Sequence, residues 1–243
     1  MESEMDMMRG LVLFDLDGTL ADTAPDLGLA LNLQRERHGL PMLDQAVIRP
    51  YASHGSKGLL GIGFDLTPES PEFAAMRDEY LALYDEVYVR APTLFPGMAD
   101  LLERIENSGL RWGVVTNKPR RFSQPLLEAL ALDQRMACLV CADDVSRPKP
   151  HPEPMYLACS QAGVLPKDCI YIGDAERDIQ AGQAAGMPTI VALYGYLDLQ
   201  DQPWSWGASY VAHHVDQIET CLVAWQQSLE PEFVASIDEE AGA

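Results

Sequence analysis

Short, wholly apolar runs that stop abruptly at a polar residue recur along the chain. Leu11-Val12-Leu13-Phe14 ends at Asp15, Trp112-Gly113-Val114-Val115 at Thr116-Asn117, and Cys169-Ile170-Tyr171-Ile172 at Gly173-Asp174. Runs this short, apolar at every position, predict strands buried on both faces, as in a parallel sheet packed between helices. Pro188-Thr189-Ile190-Val191-Ala192 predicts a further core strand. Between the strands the period changes. Phe73, Met76, Tyr80, Tyr84 and Val87 recur at helical spacing, and their stripe is expected to pack as core against neighbouring helices. Leu27, Ala30 and Leu31 mark another helix that starts near Pro25 and stops at Gly39, and helices are also expected over 177–185 and 214–227. The predicted class is α/β.

The polar residues at the strand ends carry the chemistry. Asp15 and Asp17 stand two apart before Gly18-Thr19, so both carboxylates can face one point beyond the strand's carboxyl end, where open α/β sheets bind ligands. Two carboxylates so close repel, and a hard divalent cation such as magnesium relieves the repulsion. The Thr116 hydroxyl can hold a phosphoryl oxygen, with the Asn117 amide beside it. Lys149 lies in Arg147-Pro148-Lys149-Pro150-His151-Pro152, a stretch barred from helix interior and central strand, whose prolines stiffen the loop that presents the ammonium. Asp174 and Asp178 add carboxylates at a third strand end. Taken singly, each has a structural alternative: a turn, a helix cap or a solvated charge. Together they repeat one grammar, a buried run followed by a polar group.

In these four motifs, Asp15-Leu16-Asp17-Gly18-Thr19, Thr116-Asn117, Lys149, and Gly173-Asp174 with Asp178, the chain resembles the haloacid dehalogenase-like superfamily. The likeness covers nearly the whole chain. Within that superfamily it looks most like the phosphoglycolate phosphatase group, which carries a small helical cap between the first two motifs. The segments 112–119, Tyr194-Gly195-Tyr196 and Trp206-Gly207-Ala208 are also similar to N-acetylmuramic acid 6-phosphate phosphatases. The resemblance implies a Rossmann-like, doubly wound parallel-sheet core over 9–21 and 93–228 with a helical cap over 22–92. It implies Asp15 as nucleophile, Asp17 as acid and base, and Thr116 and Lys149 as the other catalytic groups. It further implies a Mg2+ shell built from Asp15, Asp174 and the backbone carbonyl of Asp17. Asp178 would ligate through water or hold Lys149. In the cap, Ser53-His54-Gly55-Ser56-Lys57-Gly58 is polar, flexible and cationic, and is expected either to lower over the site or to be a surface loop rich in turn residues. On the first alternative Ser53, His54 and Lys57, with Asn117, contact substrate. One departure stands out: Ala175 occupies a place where the family commonly has a hydroxyl.

The resemblance leaves rival chemistries within reach. A dehalogenase would need neither metal nor an acid at Asp17. A phosphomutase typically carries a histidine where this chain reads Ala21-Asp22-Thr23-Ala24-Pro25. A phosphoacceptor of the receiver kind would lack the long cap.

Composition narrows the setting. The chain has 243 residues, 47% of them hydrophobic, enough for a substantial core. A formal charge of −20 argues against nucleic acid and anionic membranes as partners, and it also opposes an anionic substrate at long range, so local cations must offset it. Five cysteines without framework spacing suggest reduced thiols; Cys138 and Cys141, in a strand-like run, are expected on opposite faces. With no apolar span and no leader pattern in Met1–Asp6, a cytoplasmic monomer or weak homodimer acting on a small phosphorylated metabolite is expected. The histidines His38, His151, His213 and His214 have no metal-ligand spacing. The segment 229–243 is acidic and aperiodic and is expected to fray.

Overall fold

Each apolar run forms a strand, and the chain order explains how their ends meet. The computed structural model describes residues 10–90 and 92–229. The first elements are β1 (Leu11–Phe14), β2 (Ala21–Asp22), α1 (Ala24–Arg37), α2 (Gln45–Ile48), a 3-10 turn over Arg49–His54, α3 (Gly55–Phe64) and α4 (Phe73–Asp85). There follow β3 (Thr93–Leu94), α5 (Met98–Asn107), β4 (Arg111–Val115), α6 (Arg120–Ala129), β5 (Leu139–Val140), α7 (Glu153–Ala162), β6 (Cys169–Gly173), α8 (Glu176–Ala184), β7 (Thr189–Ala192), β8 (Tyr210–Ala212) and α9 (Asp216–Leu229).

Six strands make one sheet in the order β5-β4-β1-β6-β7-β8, parallel throughout. The chain passes from β1 to β4, runs outward to β5, then crosses to β6 on the far side of β1. That reversal puts the topological switch point, where open sheets form their ligand crevice, at the end of β1. Burial on both faces follows the strand period of two: Val12 and Phe14 join one apolar cluster, Leu11 and Leu13 the other. The fold is therefore a doubly wound, Rossmann-like α/β core. Cys138 and Cys141 likewise fall in separate clusters on opposite faces.

Helices α1 to α4 form an insertion after the first strand. The antiparallel ribbon of β2 and β3, pairing Ala21 with Leu94 and Asp22 with Thr93, brings its two ends together. Within it α1 packs on α3 and α4, and a Cβ at Gly63 would overlap the Leu31 side chain, so α3 sits close to α1 because that position is glycine. Tyr80 and Tyr84 are buried, while Val87, also buried, follows the end of α4.

Two expectations need correction. Residues 53–58 are not a flexible loop: Ser53 and His54 end the 3-10 turn, and Gly55 through Gly58 open α3. The polar residues there were read as turn formers, but buried Leu59 and Leu60 hold the segment to the cap core as a helix. The terminal helix continues to Leu229, so only the part of the expected acidic tail from residue 230 onward lies outside the described residues. No described helix is long and apolar enough to cross a membrane.

Candidate active site

Because β4, β1 and β6 are adjacent and parallel, their carboxyl ends bring Thr116, Asp15 and Asp174 to one place from distant parts of the chain. Lys149 arrives on the loop after β5 and is clamped there by Asn117. The Asn117 amide donates to Lys149 O at 2.9 Å and its carbonyl accepts from Lys149 N at 3.0 Å. Both ends of that side chain thus serve the loop, a role that its expected contact with substrate did not anticipate. The Lys149–Pro150 peptide is cis.

The Lys149 ammonium is fully enclosed. It donates to Val115 O at 3.0 Å and Tyr171 Oη at 2.7 Å, and lies 2.9 Å from Asp15 Oδ1 and 2.7 Å from Asp178 Oδ1. Asp178 Oδ2 accepts from Ala175 N at 3.0 Å. Asp178 is therefore committed on both oxygens, one to Lys149 and one to the first turn of α8. Asp174 is held by Ser53 Oγ at 2.6 Å, by Tyr196 N at 2.9 Å and, more loosely, by Thr19 Oγ at 3.4 Å. Gly18, at φ +84°, passes so near that any Cβ would strike the Asp174 carboxylate and Tyr196.

Asp15, Asp174 and Asp178 are buried, with an oxygen of each within 4.8 Å of the others. Burial pushes the Asp174 carboxyl up to about 7, and the charges of Asp15 and Asp178 push the same way. Burial also raises Asp15, offset in part by Lys149. Asp15 Oδ1, close to Lys149 as it is, receives no well-directed hydrogen bond. A buried, oxygen-only set of like charges with an under-coordinated atom fits a hard divalent cation, whose charge would let all of them ionise. The Asp17 side chain lies outside this group. Its Oδ1 accepts from Thr23 Oγ at 2.6 Å, and Lys118 Nζ lies 3.1 Å from Oδ1 and 3.2 Å from Oδ2.

Above these carboxylates is a cavity of about 1110 Å³ walled by α3, α4 and the start of α6. Asp15, Asp17, Thr116 and Asn117 line it from the sheet, and Ser53, His54 and Lys57 from the cap. Ser53 reaches Asp174, and Arg177 donates to Ser53 O at 2.6 Å, so this corner of the cap touches the carboxylate cluster directly. His54 lies 3.7 Å from Asp198, and Lys57 is exposed at the rim. Thr116 Oγ accepts from Lys118 N at 3.1 Å. Tyr84, expected as core alone, also borders the cavity and accepts from Lys118 Nζ at 2.9 Å.

Sequence reasoning missed Lys118, Thr23, Arg177 and Tyr196. Lys118 follows the Thr116-Asn117 strand end directly, and that position was the available signal. Tyr196 was marked only as part of the resembling segment Tyr194-Gly195-Tyr196, and its hydroxyl meets Asp22, Thr23 N and Ala24 N only through the fold.

A parallel sheet whose central strand ends in a buried carboxylate, facing a buried lysine and roofed by an inserted helical cap, defines a class of cap-bearing α/β hydrolases. The chain belongs to the haloacid dehalogenase-like hydrolase family, whose model matches residues 12–192. It is 44% identical over 203 residues to an N-acetylmuramic acid 6-phosphate phosphatase of Pseudomonas aeruginosa, covering 84% of this chain and 90% of that one. It is 41% identical over 217 residues to a phosphoglycolate phosphatase of Xanthomonas campestris pv. campestris, covering 89% and 97%. Among solved structures, one described as a predicted phosphoglycolate phosphatase from Haemophilus somnus superposes with a TM-score of 0.76 at 26% identity, covering 90% of this chain and 99% of that chain.

Proposed function

We propose that the protein is a magnesium-dependent phosphomonoesterase acting on a small phosphorylated metabolite, with Asp15 as its nucleophile. The observation that carries this reading is Asp15 itself: a buried carboxylate at the switch point, opening on the cavity, with a fully enclosed lysine 2.9 Å away. Phosphoryl transfer needs positioning and charge neutralisation more than it needs covalent chemistry from the protein. Asp15 attacks phosphorus in line and displaces the alcohol, giving an aspartyl-phosphate that water then cleaves. Lys149, held by Asp178, balances charge on the reacting oxygens. Thr116 holds a phosphoryl oxygen. Asp17 protonates the leaving alcohol and later takes a proton from the attacking water. Asp15, Asp174 and the Asp17 carbonyl are the groups that would hold Mg2+, which when bound neutralises phosphoryl and carboxylate charge.

2-Phosphoglycolate is the first reading for the substrate, and the phosphoglycolate phosphatase relative supports it. A second reading, N-acetylmuramic acid 6-phosphate, is favoured by the cavity volume of about 1110 Å³, large beside a two-carbon acid, and by the relative that bears that name. The buried, unlinked cysteines support a reducing, cytoplasmic setting. Release of phosphate from a panel of phosphorylated metabolites, with magnesium and with chelator, tests the reading. Magnesium-dependent release from one of these two esters is expected. Halide release from haloacids without phosphate release would reject it.

A further inference from the structure

Asp17 is placed to serve the leaving group, yet both its oxygens are already engaged. Thr23 and Lys118 hold Oδ1, and Lys118 also holds Oδ2. A carboxylate has about four acceptor positions, so these three contacts leave it little room for an ester oxygen. Turning Lys118 elsewhere would free Asp17 to act.

Its choices are few. The Lys118 side chain is only 6% exposed, its Nζ lies 4.7 Å above the Tyr84 ring, and its other polar contact is the neutral Tyr84 hydroxyl. It borders the cavity, and among the described residues Asp17 is the one carboxylate within ion-pair distance of it, while Asp26 feels its charge from farther off. An anion supplied from the cavity would replace Asp17. Of the lysines and arginines lining that cavity, Lys57 and Arg77 are exposed and Arg177 is tied to Ser53 O, whereas Lys118 is buried and adjoins the reacting groups. Asp17 must come within a hydrogen bond of the ester oxygen, and Lys118 is within one of Asp17, which puts its ammonium roughly 5–6 Å from that oxygen. A carboxylate attached directly to the ester carbon spans that gap.

We propose that Lys118 is the specificity-determining anchor for a carboxylate on the leaving alcohol, and that seating this carboxylate draws Lys118 off Asp17. The proposal rests on the phosphomonoesterase reading and adds the chemical class of leaving group: hydroxy acids with the carboxylate next to the ester carbon. It also supplies a local cation of the kind that the −20 charge demands, from the core and not from the cap.

The test compares 2-phosphoglycolate with its neutral amide, 2-phosphoglycolamide. Wild-type protein should prefer the acid in kcat/KM by about 10- to 100-fold, the range of a hydrogen bond to a charged group. In Lys118→Met the acid-to-amide ratio should collapse to near one, whatever happens to overall turnover, and Lys118→Arg should keep a ratio well above one. A wild-type ratio near one, or an undiminished ratio in Lys118→Met, overturns the proposal. Equal losses on both esters would make Lys118 a support for Asp17 alone and overturn it too. Binding of the same pair to Asp15→Asn protein, read by calorimetry, does not depend on turnover. Preference for the acid there, lost when Lys118→Met is added, upholds the anchor even if wild type hydrolyses neither ester, an outcome that would reject only the phosphatase reading. Equal or absent binding of the two overturns the anchor.

Discussion

On the floor of the cavity, Lys149 has no exposed side-chain surface and contacts Asp15, Asp178, Val115 O and Tyr171, whereas on the helical wall Lys57 and Arg77 stand exposed at the rim. The floor is built from strand ends fixed by the sheet register, so each polar group has a partner whose position the backbone sets. The wall meets the core through polar contacts that include Ser53 with Asp174, Arg177 with Ser53 O, Tyr84 with Lys118 and Tyr88 with Arg121 O, and His54 lies 3.7 Å from Asp198. A step common to all phosphomonoesters can be entrusted to the overdetermined region. Discrimination among alcohols falls to the border of the two, where Lys118 of the core meets Tyr84 of the wall.

That contrast makes ordered predictions. Asp15→Asn removes the nucleophile and should lower kcat by about 10⁴-fold or more while the far-ultraviolet circular dichroism is unchanged. Appreciable turnover in that variant would break the assignment of chemistry to the floor. Asp17→Asn should cost about 10²–10⁴-fold in kcat, and pre-steady-state measurement should place the loss in the steps that move a proton. Ser53→Ala removes the bond from the wall to Asp174 and should lower kcat/KM by about 10-fold, as for other hydrogen bonds to a charged group. A loss as large as that of Asp17→Asn would mean that this corner of the wall belongs with the floor. Lys57→Ala, at the exposed rim, should change kcat/KM by less than about 3-fold and leave the melting temperature within about 2 °C.

The same contrast explains what could be read from the chain alone. Asp15, Thr116 and Asp174 were visible because a buried parallel strand needs an unbroken apolar run, and the residue that ends it lies at the crevice; Lys149 was visible because its flanking prolines bar that stretch from helix and central strand. The doubly wound core and the helical insertion came from the resemblance that the four motifs carry. Residues 53–58 were not legible, since Ser, Gly and Lys suit a turn in isolation and become helical only through the packing of Leu59 and Leu60. Lys118 was marked locally only by its place after the Thr116-Asn117 strand end; its partner Asp17, 101 residues away in sequence, became visible only in the fold. Asp178 carried two open roles, and its 2.7 Å contact with Lys149 favours holding the lysine.

Tyr196 gives the two regions a common fulcrum. Its amide grips Asp174 on the floor, while its hydroxyl, one ring-length away, donates to Asp22 and accepts from Thr23 N and Ala24 N where the insertion departs from the sheet. Any rotation of the helices about that departure point would pull on one end of a rigid aromatic lever whose other end rests on a carboxylate of the reacting cluster. Tyr196 thereby ties the departure point of the helices to the same carboxylate that Ser53 reaches from the cap.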